Sequence, residues 1–195
     1  NQYNPVQDYL EKVEKDSLVY PTNIDSISSD FLKTTEPLFD QMMKVFLIGC
    51  VKRAFERGSK HDTMLVIKGH QGLMKSTFFK SLVPNETWFT DTAQTQQKQR
   101  LMQLQTNWIV ECAEVETLTT KAEAGELKAL LSSASDNFLP PYGRKMIRAD
   151  RPSVMVGTCN KDSFLNDTTG SRRFHIIRLL NEPEDKIDFK LVASE

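Results

Sequence analysis

Apolar residues recur at helical spacing within the first 57 residues of the chain. One such segment covers residues 9–18 and is broken by the Pro-Thr-Asn sequence at residues 21–23. A longer segment covers residues 37–57, where Pro37 suits a first helical turn and Gly58 suits a helix end. Its apolar positions are Leu38, Met42, Val45, Phe46, Ile48, Gly49, Val51 and Phe55. The pattern predicts an N-terminal helical segment, residues 1–57, that forms a cap or collar packed on the rest of the chain.

After Gly58 the pattern changes to short apolar runs that alternate with helical segments. The short runs, which are typical of buried strands, cover residues 64–67, 88–90, 107–112, 152–159 and 174–179. Helices are predicted between them at residues 75–82, 94–104 and 121–131, with a closing helix at 182–192. This alternation predicts an α/β fold of three layers, with a mostly parallel central sheet, over residues 58–195.

Residues 69–77 read Gly-His-Gln-Gly-Leu-Met-Lys-Ser-Thr and match the phosphate-loop pattern G-x-x-x-x-G-K-[ST] at every fixed position except one. An apolar strand precedes this loop and a helix follows it, as the pattern requires. Backbone N–H groups of such a loop cradle phosphates, and the lysine reaches the outer ones. The residues expected to bind ATP are Gly69, Gln71, Gly72, Leu73, Met74, Lys75, Ser76 and Thr77. The alternative is a chance Gly/Lys/Ser turn between strand and helix.

Met74 stands where the pattern has its second glycine. A glycine is used there because the backbone passes close to the phosphates and adopts a positive φ. A side chain at positive φ costs on the order of 1 kcal/mol. ATP binding is therefore expected to be retained but weakened.

Acidic residues follow the apolar run that starts at Asn107. Glu111 is predicted at the carboxyl edge of a buried strand, where open α/β sheets bind their ligands. Together with the Ser76 hydroxyl it is expected to hold Mg²⁺, while Glu114 polarises the attacking water. The alternative is that Glu114 and Glu116 begin a solvated helix.

Two further groups lie in the last third of the chain. Asn160 ends a strand, and its amide is expected to hydrogen-bond the γ-phosphate or the attacking water, although an Asn there is also a common turn former. Arg172 and Arg173 follow a glycine turn and are candidates for neutralising charge in the transition state. Taken alone, they would be interpreted as a solvated arginine pair, and the order of the parts of the chain is what favours the functional interpretation.

The charge of the chain is unevenly distributed. Its 195 residues carry a formal net charge of −1, which excludes a generally cationic nucleic-acid coat and a polybasic membrane anchor. Residues 141–181 nevertheless have a net charge of +5, between acidic segments at residues 1–40 (−5) and 182–195 (−3). A local basic patch is therefore compatible with the neutral total.

The basic patch has its densest part at residues 138–151, predicted as an exposed loop or hairpin. Arg144, Lys145, Arg148 and Arg151 stand there against Asp150, and Pro140, Pro141 and Gly143 exclude a regular helix at its start. Basic groups neutralise nucleic-acid phosphates, and an aromatic side chain stacks on a base. The residues expected to contact DNA are Tyr142, Arg144, Lys145 and Arg148. The alternatives are a solvated basic loop and a role at a subunit interface.

The order of these parts resembles that of the superfamily 3 helicases, and more closely that of the virulence-associated protein E-like group. The residues that carry the resemblance are 58–62, 69–79, 108–114, 127–129, Asp136, 141–144, 157–160 and 167–174. They are spread over roughly residues 38–180. The resemblance implies the Walker A role for the loop, the Walker B role for Glu111 and Glu114, and the sensor role for Asn160.

The resemblance also implies an assembly. Arg172 and Arg173 match the arginine-finger position, which acts on the ATP of a neighbouring subunit, so a ring is expected, commonly a hexamer. A hairpin in the region of Tyr142 and Lys145 faces the central channel of such rings and grips single-stranded or forked DNA.

The sequence thus predicts an ATP- and Mg²⁺-dependent DNA helicase motor of a phage, plasmid or mobile element. The alternatives are another P-loop phosphotransferase, or a module that binds nucleotide with little or no hydrolysis because of Met74. Three widely spaced cysteines and no bilayer-spanning apolar run indicate a cytoplasmic protein without membrane contact. Because the chain opens at Asn1, it is expected to be part of a longer protein, in which a primase domain is a candidate neighbour.

Overall fold

The computed structural model describes residues 4–18, 22–91, 97–118, 120–140, 143–160 and 171–179. The helix predicted at residues 182–192, the start of the one at 94–104, and Tyr142 lie outside the described residues. Five strands form the main sheet: β1 (Met64–Lys68), β2 (Phe89–Thr90), β3 (Ile109–Cys112), β6 (Val154–Cys159) and β7 (Phe174–Arg178). Their order is β2-β3-β6-β1-β7, and each neighbouring pair is parallel. The predicted parallel sheet is confirmed.

Helices cover both faces of this sheet. They are α1 (Pro5–Lys15), α2 (Ile27–Leu32), α3 (Pro37–Phe55), α4 (Lys75–Ser81), α5 (Gln97–Thr106) and α6 (Lys121–Ser132). Because side chains alternate along a strand, Leu65 and Ile67 join a core with α1 to α4, while Met64 and Val66 join a second core with α5 and α6. These two cores on opposite faces of one sheet make the three-layer α/β architecture.

The N-terminal helices pack on the sheet as a cap. Asn4 caps α1 by accepting from the Val6 N–H, and its amide donates to the Ala54 carbonyl at 2.7 Å, which ties α1 to α3. Along α3 the buried apolar stripe consists of Met43, Phe46, Cys50 and Ala54. The division of the chain at residues 57 and 58 stays a prediction, and α3 shares its hydrophobic core with the strands.

The apolar side chains of α3 do not all pack against the sheet, and five of them are exposed. The exposed side chains are Leu38, Val45, Ile48, Val51 and Phe55, each between 43% and 57% exposed. When a helix packs on a sheet, only about one residue in three or four lies on the face that is buried. The apolar residues of α3 extend beyond that face, and those outside it remain exposed.

Polar groups beneath α3 fasten it to the sheet. Arg53, 2% exposed, donates to the carbonyls of Ser153 at 2.6 Å, His61 at 3.1 Å and Ser59 at 3.2 Å. Burial lowers the pKa of His61 to about 4, so this imidazole is neutral at pH 7. Arg53 therefore secures the strand ends that α3 covers.

A two-stranded antiparallel hairpin is inserted between α6 and β6. It consists of β4 (Ser135–Phe138) and β5 (Ile147–Asp150), with Phe138 opposite Ile147. This confirms the hairpin predicted for the basic segment. Among the described residues, no helix is long and apolar enough to cross a membrane.

Candidate nucleotide site and basic hairpin

The loop between β1 and α4 has a backbone shaped by two left-handed residues. Gly72 has φ 90°, and Met74, at the N-cap of α4, has φ 56° and ψ 29°. The positive φ predicted for position 74 is confirmed. Leu73 is 8% exposed, and its side chain packs into the core and anchors the loop. Any contact of Leu73 with a phosphate would therefore be made by its backbone. Gln71 is exposed beside it, and Thr77 is exposed on α4.

Met74→Gly is expected to raise ATP affinity by up to about fivefold, because glycine lets the loop backbone adjust to the phosphates at positive φ without the cost of about 1 kcal/mol that a Cβ imposes there. Isothermal titration of ATP into both proteins measures this. Met74→Ala is the matched control, since it shortens the side chain but keeps a Cβ at positive φ. An unchanged affinity in Met74→Gly contradicts the strain argument.

Lys75 is the first residue of α4 and is only 6% exposed. Its Nζ donates three hydrogen bonds of 2.8 Å, to the Gly69 carbonyl, the His70 carbonyl and Asn160 Oδ1. Burial lowers the pKa of Lys75, whereas the nearby Glu116, Cys159 and Glu111 raise it and so oppose this shift. The ammonium group is thus held at the mouth of the loop by weak, neutral acceptors that a phosphate can replace.

Glu111 lies on β3, two strands away from β1, and is fully buried. Its Oε1 accepts from Ser76 Oγ at 2.7 Å and from Thr158 Oγ1 at 2.9 Å. Its Oε2 is buried and has no hydrogen-bond partner among the described residues. Burial raises its pKa, although the two hydroxyl donors oppose the shift. A buried carboxylate with one unused oxygen beside a hydroxyl is a fitting partner for a divalent cation.

Asn160 follows the last residue of β6, the strand between β1 and β3. Its side-chain oxygen contacts Lys75, and its backbone N–H donates to Glu116 Oε1 at 2.9 Å. The structure thus brings Lys75, Ser76, Glu111 and Asn160 together at the carboxyl ends of three adjacent strands. This is the sheet edge where parallel α/β proteins bind ligands.

The side chain of Glu114 is exposed and is not part of this cluster. The residue has a left-handed backbone, φ 50° and ψ 51°, directly before a short 3-10 helix (Val115–Thr117). Glu116, which we predicted only as a possible solvated helix start, lies against Asn160 instead. Thr158 was also missed, although it lies on β6 two positions before Asn160, and the alternation of side chains along a strand points it to the same side as Asn160.

Arg172 and Arg173 form a 3-10 turn at the amino end of β7, and Phe174 pairs with Met64 at the amino end of β1. The phosphate loop follows the carboxyl end of β1, roughly 15 Å away along a strand of five residues. The arginine pair and the loop therefore lie at opposite ends of the parallel strands, the arginines at the amino ends and the loop at the carboxyl ends. Arg173 Nε donates to Ser132 Oγ at 3.1 Å, and Arg172 is exposed.

The basic hairpin exposes Arg144, Lys145 and Arg148, of which Arg148 donates to Ser135 Oγ at 2.9 Å. Tyr142 lies outside the described residues. Arg151, counted with the basic patch, is only 1% exposed and forms a buried ion pair with Asp136. Its place in the exposed patch is therefore wrong, because this guanidinium closes the base of the hairpin.

The strand order β2-β3-β6-β1-β7, with a phosphate-type loop after β1 and acidic and Asn-ended strands beside it, defines a three-layer α/β fold of the P-loop type with a parallel central sheet. The model of the virulence-associated protein E-like domain matches residues 11–195. The chain therefore belongs to the virulence-associated protein E-like family.

Solved structures with the same fold include apo forms of the C-terminal region of NrS-1. Two of them share 14% sequence identity with this chain at TM-scores of 0.63 and 0.60. The alignments cover 93% of this chain but 45% of those chains, so it spans less than half of their length. No curated protein matches the chain.

Proposed function

We propose that this chain is the ATP-hydrolysing motor of a phage, plasmid or mobile-element replication protein, and that it couples hydrolysis to movement on DNA. The observation that carries the proposal is the convergence of Lys75, Ser76, Glu111 and Asn160 at one sheet edge. Membership of the virulence-associated protein E-like family supports the replication setting.

The loop and Lys75 bind the triphosphate in this proposal. Backbone N–H groups at residues 70–76 and the start of α4 attract phosphate oxygens. A phosphate is a stronger acceptor for an ammonium group than a carbonyl or an amide, so it displaces the acceptors that now hold Lys75. The Asn160 amide, released from Lys75, is then available to the γ-phosphate.

Ser76 and Glu111 are the residues that hold Mg²⁺ with the bound nucleotide. When bound, Mg²⁺ neutralises charge on the phosphate oxygens. Glu111 uses its buried, unpartnered Oε2 for this role, and Thr158 keeps the carboxylate in place through Oε1. Burial raises the pKa of Glu111 because it disfavours the charged carboxylate, and a bound cation would offset that cost.

Arg172 and Arg173 act on the ATP of a neighbouring copy of the chain in this account. Their position at the ends of the strands opposite the phosphate loop argues against a role in the same subunit. When every subunit supplies its arginines to the ATP of the next subunit, the subunits must contact one another head to tail. A closed ring meets this requirement, and six subunits are the expected number.

The basic hairpin is the proposed DNA contact. Arg144, Lys145 and Arg148 are exposed on or beside a projecting two-stranded element. Met146, 63% exposed, accompanies them. A cationic loop with adjacent apolar groups is suited to a single-stranded backbone, whose affinity arises mainly from counterion release.

Lys145→Ala combined with Arg148→Ala is expected to weaken single-stranded DNA binding and to reduce the slope of log affinity against log salt by about 1.4, or about 0.7 for each lost phosphate contact. Fluorescence anisotropy at several salt concentrations measures both quantities. Replacing the exposed Lys12 and Lys15 of α1 is the charge-matched control. A double variant with the wild-type slope refutes DNA contact through this hairpin.

A nucleotide-binding module without turnover is the second candidate, and the strained Met74 favours it. ATP hydrolysis with and without single-stranded DNA separates the two. DNA-stimulated hydrolysis supports the motor, whereas tight ATP binding without hydrolysis supports the module.

A further inference from the structure

The nucleotide site contains a second partly buried carboxylate, that of Glu116. Its Oε1 accepts the backbone N–H of Asn160 at 2.9 Å. Its Oε2 is buried and has no hydrogen-bond partner among the described residues. A buried carboxylate oxygen without a donor is costly, and such costs are concentrated at sites where a ligand or water supplies the missing contact.

Local structure aims Glu116 at this place. Val115 is fully buried in the second core, beside Met64 and Val66 of β1. The left-handed turn at Glu114 and the 3-10 helix that follows reverse the chain directly after β3. With Val115 anchored, the next side chain is directed toward the end of β6, where Asn160 stands.

A short chain of contacts connects Glu116 to the expected position of the γ-phosphate. Glu116 contacts the Asn160 backbone, and Asn160 Oδ1 accepts from Lys75 Nζ at 2.8 Å. Because the lysine marks the outer phosphates, this chain of contacts places the Glu116 carboxylate close to the region where a nucleophilic water must stand.

The other two acids are less suited to that task. Glu111 is engaged by Ser76 and Thr158 through Oε1, and its Oε2 is the proposed cation ligand. Glu114 is exposed on a strained turn. A carboxylate that serves as a general base must lie within hydrogen-bond reach of the water that it deprotonates.

We propose that Glu116, and not Glu114, orients and deprotonates the water that attacks ATP, an assignment that rests on the proposed function. The water oxygen forms a bond to the γ-phosphorus while the bond from that phosphorus to the β,γ-bridging oxygen breaks. The electron pair of the broken bond stays with ADP, and the water proton passes to Glu116 Oε2. Oε1 stays on the Asn160 N–H throughout, which holds the carboxylate in place.

Glu116→Gln tests this assignment with little structural change. Its amide oxygen can still accept from the Asn160 N–H, but it cannot take up a proton. In the full-length protein with DNA, we expect kcat for ATP hydrolysis to fall at least 100-fold while the Kd for ATP stays within about threefold of wild type. Glu114→Gln makes the same chemical change two residues earlier and tests the competing assignment, because kcat should fall much less in this variant than in Glu116→Gln if Glu116 is the base.

Four results overturn the assignment. They are near-wild-type hydrolysis by Glu116→Gln, loss of hydrolysis in Glu114→Gln, loss of ATP binding in Glu116→Gln, and absence of hydrolysis in the wild type. The first three leave the proposed ATPase function standing and refute the role of Glu116 alone. The fourth, seen together with ATP binding, refutes the proposed function as well.

Discussion

Replacing Lys75 with alanine is expected to weaken ATP binding at least 100-fold, which corresponds to about 3 kcal/mol. Lys75 is 6% exposed, and its ammonium group is held by the carbonyls of Gly69 and His70 and by Asn160 at the mouth of the loop. Charge-assisted hydrogen bonds to phosphate are about twice as strong as neutral ones, and alanine removes both the charge and the donors. Isothermal titration with ATP and Mg²⁺ measures the loss.

Lys80→Ala is the matched control for that experiment. Lys80 lies on the same helix, α4, and its exposed side chain pairs with Glu86 at 3.2 Å on the surface. It should bind ATP as the wild type does, because exposed ion pairs contribute little. Equal ATP affinity in wild type and Lys75→Ala would contradict the placement of phosphates at this loop.

Breaking the ion pair at the base of the hairpin is expected to destabilise the fold most. Arg151 donates through Nε to Asp136 Oδ2 at 3.0 Å and through Nη2 to Oδ1, and through Nη1 to the Leu130 carbonyl at 2.6 Å. Arg151→Met leaves the Asp136 carboxylate buried with Gln105 as its side-chain donor. The free energy of unfolding should fall by about 3–5 kcal/mol, measured by urea denaturation.

Two further variants separate the cost of an unpaired charge from lost packing. The double variant Asp136→Leu with Arg151→Met should recover more than half of the loss, because no charge is then left buried. Lys44→Ala breaks the exposed pair with Asp25 and should cost about 1 kcal/mol or less. A loss below about 1 kcal/mol in Arg151→Met would contradict the structural role of this pair.

The fold and the centre of the site were predictable because they rest on local rules. Short apolar runs at 64–67 and 152–159 correspond to β1 and β6, and the loop pattern places Lys75 at the start of a helix. The positive φ at Met74 followed from the reason for the glycine in that pattern. In each case one segment of sequence contains the whole signal.

The missed features depend on contacts between distant segments. The position of Glu116 beside the site arises from a hydrogen bond to Asn160, 44 positions away, and from the burial of Val115. In the sequence, Arg151 is one more cation of a basic segment. In the structure, the strand pairing of the hairpin brings Asp136 into contact with it, and the two form a buried ion pair. The exposed apolar side chains of α3 could not be identified from the sequence, because its apolar pattern does not show which face of the helix contacts the sheet.

Unwinding of a forked DNA duplex by the full-length protein tests the central proposal most directly. We predict that the wild type separates the strands with ATP and Mg²⁺, and that neither a non-hydrolysable ATP analogue nor the Lys75→Ala variant supports separation. Strand separation by Lys75→Ala at the wild-type rate, or none by a wild-type protein that binds both ATP and DNA, would contradict an ATP-driven motor.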